Sequence, residues 1–328
     1  MDAKVGLLYE HALRRVRTID VAYLRYHNMK KLGYFLLLLP LLFAFGKNKK
    51  PQHSKYLTKH YVKVPAGKVY TNLEAALINT RNPNPAKDSL PDFYISSTEV
   101  TNIQWKEFLM YLKQEGRMEE YKANLLDTTV WRQQLAYNEP YVNYYYQHPA
   151  YTDFPAVGMT LKQATTYANW LTEIFALKDQ GVKITFSVPT KKQWIRSARG
   201  ESTSVYPWGG PYLRNSKGCF LANFKTYDER FITRTNVDGE YTDTYQVWPY
   251  EGFNDEMTIT SNANSYYPNQ FGIYNMSGNV AELVSDDTVA MGGSWNDTGY
   301  DVRVESEQPA TKPKSTIGFR VVAVIEKL

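Results

Sequence analysis

Two stretches of the chain carry the apolar spacing of an amphipathic helix. Over residues 99–115, Val100, Ile103, Trp105, Phe108, Leu109 and Leu112 recur on one face, and Thr101 or Asn102 stands where a cap belongs. Residues 161–177 repeat the pattern through Ala164, Tyr167, Ala168, Trp170 and Leu171, with Thr160 and Gln163 spaced as a capping box. Thr190 opens a third, shorter helix that carries Trp194 and Ala198 and ends near Gly200. Strand signals are briefer: residues 61–64 before the turn Pro65-Ala66-Gly67, residues 93–96 after a loop with Pro83, Pro85 and Pro91, and pieces at 289–295 and 318–325. Residues 121–154 have no clean period and read as one long packed loop, and Tyr, Asn, Gly and Asp dominate from Gly200 to residue 300. Such a pattern excludes a doubly wound sheet and a repeat protein. It predicts an α+β domain with few helices, short strands and long loops ordered by aromatic packing and bound ions.

At 328 residues, 43% apolar and 15% aromatic, the chain can bury a substantial core. The net charge of +5 is modest, and much of the excess precedes residue 70, in Arg14, Arg15, Arg17, Lys30, Lys31 and the cluster Lys47, Lys49 and Lys50. A nucleic-acid groove needs basic residues gathered on the folded surface, so no nucleic-acid partner is expected. Met29, Lys30 and Lys31 precede an apolar run over 33–45, broken only by Pro40, in the order of a secretory signal. That run is about 13 residues, short of the roughly 20 that span a bilayer. The expected organisation is an upstream extension over 1–28, a signal peptide or short anchor over 29–46, a linker over 47–60 and one domain over 61–328. The protein is then exported, to the periplasm or the outer membrane, with membrane contact only through its N-terminal segment. Cys219 is the single cysteine, so no intrachain disulfide forms, and no lipid-accepting cysteine follows the apolar run.

A series of motifs adds an identity to this outline. Thr98-Glu99-Val100-Thr101-Asn102, Phe154-Pro155-Ala156-Val157-Gly158-Met159, Val188-Pro189-Thr190 with Gln193-Trp194 and Ala198-Arg199-Gly200, Tyr206-Pro207-Trp208-Gly209, Phe271 to Glu282, Gly292-Gly293-Ser294-Trp295 and Gly318-Phe319-Arg320 occur in that order. Together they resemble the formylglycine-generating-enzyme or sulfatase-modifying-factor family, whose fold is related to C-type lectins. Asn275, Gly278, Val280 and Glu282 could offer side-chain oxygens and carbonyls to a hard cation, the ligand mixture that calcium prefers. The resemblance implies a structural calcium site there, and a second one at Asn223, Phe224, Asp255 and Met257.

The enzymes of the family place two cysteines after Gly-Gly-Ser, where paired thiolates bind Cu(I). By spacing, those places are held here by Asp297 and Val302. The resemblance therefore implies a non-catalytic protein with calcium and no copper. Related iron enzymes on this fold use a histidine-rich site, but His148 is the only histidine after residue 60 and reads as a packed loop residue. The phrases Tyr137-Asn138-Glu139-Pro140 and His148-Pro149-Ala150-Tyr151 resemble the gliding-motility and type IX secretion lipoproteins of Bacteroidetes, structural parts of an outer-membrane-associated assembly. That branch implies protein partners in the cell envelope, met through Tyr- and Asn-rich loops. Two other readings stand beside it: a divergent enzyme with a pocket around Trp295, Asp297, Arg303, Glu305 and Arg320, and a calcium-stabilised glycan- or ligand-binding module.

Overall fold

The computed structural model describes residues 57, 59–71, 86–132, 137–176, 182–226, 232–237, 240–245 and 258–327. All of them lie in the unit His53–Leu328, one of two compact units in the chain. The expected segments at 1–28 and 29–46 and nearly all of the linker lie outside the described residues. Among the described residues no helix is long and apolar enough to cross a membrane.

Strands β1 (Tyr61–Val64), β4 (Phe93–Ser96), β12 (Val322–Lys327) and β5 (Val182–Ser187) form an antiparallel sheet in that order. The C-terminal strand β12 is central, with Val322 opposite Ile95 on one side and Ser187 on the other. Val322, Ile95 and Val64 are fully buried, as a central strand with a β-branched face requires. A second sheet runs β10 (Glu307–Pro309), β9 (Val289–Met291), β8 (Ala281–Leu283), β11 (Ile317–Gly318), with β8 and β11 parallel. Two hairpins, β2 (Gly67–Thr71) with β3 (Ala86–Leu90) and β6 (Ile232–Val237) with β7 (Glu240–Tyr245), complete the strands described.

The main core lies between α1 (Asn102–Gln114) and α4 (Leu161–Ala176). Trp105 stacks on Tyr167 at 5.6 Å and meets Phe319 edge-on, so the two helices are joined through the chain's last motif. The indole N–H of Trp105 donates to the Asn124 carbonyl at 3.2 Å, which satisfies its one buried polar atom. Both expected helices are present, with Thr101 and Thr160 at their heads, but Ile103 is 38% exposed and belongs to the outer face of α1. Helix α5 (Lys191–Arg199) runs from Thr190 to Gly200, as its cap signals predict.

Residues 121–154 are not one long loop. They include the end of α2 (Met118–Ala123), a 3-10 turn at Thr128–Trp131, α3 (Glu139–Tyr144) and a second 3-10 turn at Pro149–Tyr151. Each is too short to display a period of 3.6. What defines them is their starts: Asp127 accepts from the Thr129 N–H at 2.9 Å, Pro140 occupies the first turn of α3, and His148 Nδ1 accepts from the Ala150 N–H at 3.1 Å. His148 itself is exposed rather than packed away. The strand signals at 289–295 and 318–325 also shorten: β9 stops at Met291, and β11 and β12 are separate strands of different sheets.

At α5 the capping box is reciprocal, since Thr190 Oγ1 accepts from the Gln193 N–H at 3.2 Å and the Gln193 side chain accepts from the Thr190 N–H at 2.9 Å. Thr190→Ala is expected to cost about 1 kcal/mol in urea unfolding, with Thr190→Ser restoring most of it.

Candidate functional site

One polar cluster is fully buried. Glu99, just ahead of α1, Glu282 on β8 and Arg320, between β11 and β12, are each 0% exposed. Arg320 donates from Nε to Glu282 Oε2 and from Nη2 to Oε1, both at 2.5 Å. It also donates to the Ser96 carbonyl at 3.0 Å and the Tyr274 carbonyl at 2.9 Å, so one guanidinium ties β4, β8 and the segment before Asn275 together. Trp194 of α5 adds an indole N–H bond to Glu282 Oε2 at 2.7 Å.

Glu99 is held differently. Its Oε1 accepts from Asn279 Nδ2 at 2.8 Å and its Oε2 from Asn275 Nδ2 at 3.3 Å. Burial above all, opposed by Arg320 and aided by the Glu282 charge, pushes this carboxyl up to about 8.

Residues 275–282 reach this cluster through a strained turn. Asn275, Gly278 and Asn279 have φ of 53, 74 and 62°, the left-handed region that glycine and asparagine tolerate best. A Cβ on Gly278 would stand 2.2 Å from the Asn223 carbonyl oxygen, so the two predicted ligand segments meet at this glycine. The Asn279 N–H donates to that same oxygen at 2.8 Å, and Asn223 Nδ2 donates to the Ile259 carbonyl at 2.9 Å. Phe224 packs edge-on against Phe220 at 5.3 Å. Asp255 and Met257 lie outside the described residues.

As a calcium centre, this donor set fits only in part. Asn275 brings an amide to the cluster, and an amide oxygen is suitable hard-ligand chemistry. Glu282 does not fit, because three N–H groups from Arg320 and Trp194 already occupy its two oxygens. Glu99, Asn279 and Trp194 were legible only as parts of motifs, and Arg320 was assigned to a different pocket. Nothing local distinguished them as members of one site.

Residues 47–325 match the family model of the sulfatase-modifying factor enzyme 1-like domain. The chain belongs to this family. A formylglycine-generating enzyme of Thermomonospora curvata is 28% identical over 136 residues, 40% of this chain and 33% of that enzyme. The chain thus aligns with about a third of the length of this curated relative. Among solved structures, PvdO from Pseudomonas aeruginosa is similar over 80% of this chain and 93% of its own, at 20% identity and a TM-score of 0.51, which shows the α+β fold. Treponema denticola variable protein 1 is 15% identical over 80% of this chain and 94% of its own, with a TM-score of 0.49.

In this sulfatase-modifying-factor-like chain, Asp297 and Val302 are the residues expected from spacing at the enzymes' thiol positions. The Asp297 carboxylate turns back on Ser294, accepting from its N–H at 2.8 Å and from its hydroxyl. Val302 is fully buried with Tyr206, Phe220, Ala222 and Phe224. Beside them opens a cavity of about 400 Å³ lined by Asp297, Asp301, Arg303, Glu305, Glu307 and neighbouring polar residues. The pocket expected from sequence is not assembled as such. Trp295 stacks on Trp131 at 6.0 Å, Arg320 sits in the ion cluster, and Glu305 is engaged by Arg199 at 2.7 Å. Two of the five residues are drawn away by burial that spacing along the chain does not encode.

Proposed function

We propose that this chain is a non-catalytic, exported cell-envelope member of the sulfatase-modifying factor 1-like family, a structural and interaction component of a gliding-motility or type IX secretion assembly. One observation carries the reading: Cys219 is the chain's single cysteine, and Asp297 and Val302 occupy the places that resemble the enzymes' thiol pair. A soft Cu(I) ion held by two thiolates has no counterpart in one thiol, a carboxylate and an isopropyl group. The burial of Val302 and the Ser294 bonds of Asp297 agree with that, since the one side chain is closed off and the other is tied to its neighbour.

Exposed Tyr137, Tyr212, Tyr267 and Tyr300 suit protein contacts, because a rigid ring offers area at little entropic cost. The phrases around Tyr137 and His148 support the motility and secretion branch, and the apolar run over 33–45 supports export. Bound calcium, with no copper, serves here to stiffen loops.

The test is direct. The purified full chain, given copper, oxygen and a cysteine-containing substrate peptide, is expected to yield no formylglycine and to retain no stoichiometric copper; turnover above a metal-only control would sink the reading. Cross-linking in the cell envelope is expected to trap motility or secretion subunits. Chelation should lower the melting temperature by about 5 °C or more, the shift expected when an ion near saturation leaves a domain of this size. An unchanged melt would remove calcium from the proposal.

A further inference from the structure

One stripe of α1 faces away from the core. At about 100° per residue, Ile103, Lys106, Glu107 and Met110 fall within an arc of about 100°, opposite the buried Trp105, Phe108, Leu109 and Leu112. Ile103 is 38% exposed and Met110 45%. Two opposite charges stand between these apolar side chains, and among the described residues neither Lys106 nor Glu107 is in an ion pair. They cannot pair with each other, because adjacent helix residues do not face one another. Lys106 Nζ lies 5.0 Å over the Tyr146 ring and donates to the Gln147 carbonyl at 3.4 Å, which leaves further N–H groups for an acceptor. Partial burial holds its ammonium below the ordinary lysine value, a cost that a facing carboxylate would offset.

The order of these four residues is symmetric. Ile103 and Met110 lie equally far on either side of the midpoint between Lys106 and Glu107. A two-fold axis through that midpoint, perpendicular to the helix, lays α1 antiparallel on a second α1. Ile103 of one copy then meets Met110 of the other, Lys106 meets Glu107, and each contact is made twice. A face of one sign would call for an oppositely charged partner; a face with both signs in this order is complementary to itself. The 13-residue helix is about 20 Å long, so the contact belongs to the class below about 1,200 Å² of total buried area, where association is weak and reversible.

We propose that the outer face of α1 is a homodimerisation surface, on which two copies of this chain pack antiparallel through Ile103, Lys106, Glu107 and Met110. The inference goes beyond the proposed function: it stands whether or not the chain is catalytic, and its failure would leave the cysteine argument untouched.

Sedimentation equilibrium of the full chain over a range of concentrations tests it in wild type, Lys106→Glu and Glu107→Lys, with thermal melting as the check on folding. Wild type should show a monomer–dimer equilibrium. Each single variant sets like charges against each other at both symmetric contacts and should dimerise about tenfold more weakly. A mixture of the two variants sets two glutamates against two lysines and should regain the wild-type affinity, a recovery that no folding defect can produce. A wild-type chain that stays monomeric up to about 1 mM overturns the inference. So does a dimer indifferent to both substitutions, as one formed through the apolar run over 33–45 would be, or a mixture no more dimeric than its parts. Should a single variant misfold, the double variant Lys106→Glu with Glu107→Lys decides: it should pair with itself but not with wild type, and free mixing of the two refutes the proposal.

Discussion

Arg320→Met is expected to lower the free energy of unfolding by about 3–5 kcal/mol in urea denaturation at neutral pH. Methionine approximates the stem's volume, so the loss reports the guanidinium itself. Arg320 is fully buried and its donors end on both oxygens of Glu282 and on the carbonyls of Ser96 and Tyr274. Removing it leaves Glu282 with only the Trp194 N–H, next to a second carboxylate at Glu99, and takes a donor from two part-buried carbonyls. The double variant Arg320→Met with Glu282→Met should recover part of the loss, because a buried pair replaced whole by apolar groups costs far less than one that is broken. A single-variant loss below about 1 kcal/mol would mean that water or rearrangement reaches this cluster, and the account of it as a dry clasp would fail.

Gly278→Ala should cost at least about 3 kcal/mol, read in the same denaturation experiment. Two effects add. The residue has φ of 74°, where any Cβ costs about 1–2 kcal/mol, and the new methyl would stand 2.2 Å from the Asn223 carbonyl oxygen. Backbone cannot swing aside like a side chain, so the segments would separate and the 2.8 Å bond from the Asn279 N–H to Asn223 would stretch. Gly116→Ala is the matched control: its φ is 72°, but a Cβ there meets nothing within 4 Å. Equal losses in the two variants would show that the close approach of the 223 and 278 segments carries no energy.

Much of the architecture is written in local signals. The periods of α1 and α4, the capping box at Thr190 and the strand signals at 61–64 and 93–96 each depend on residues within a turn or two of one another, and all appear in the structure. The short helices between residues 118 and 144 escaped periodicity because six residues make less than two turns. The hairpin of β2 and β3 escaped it for another reason: its second strand, Ala-Lys-Asp-Ser-Leu, is polar and has low strand propensity, and it is held by pairing with Gly67–Thr71 rather than by its own composition.

The candidate site divides along the same line. The asparagines and glycine of residues 275–279 were visible as a turn with oxygen ligands, because left-handed backbone selects those residue types locally. Its charge pairing was not. Which of Glu99 and Glu282 faces Arg320 depends on where β4, β8 and the approach to β12 come together, and an acid's spacing from its neighbours says nothing about that.

The sequence by itself determined the family, the fold class, the principal helices with their caps, and the absence of a second cysteine, since these rest on residue identity and on interactions a few positions apart. Only the tertiary structure decided that Glu282 is Arg320's counter-ion, that Glu99 is left with amides, and that Trp295 and Arg320 stand apart from the cavity beside Asp297. Desolvation and charge pairing act between groups distant in the chain, and they take effect only when folding has removed the water from around them.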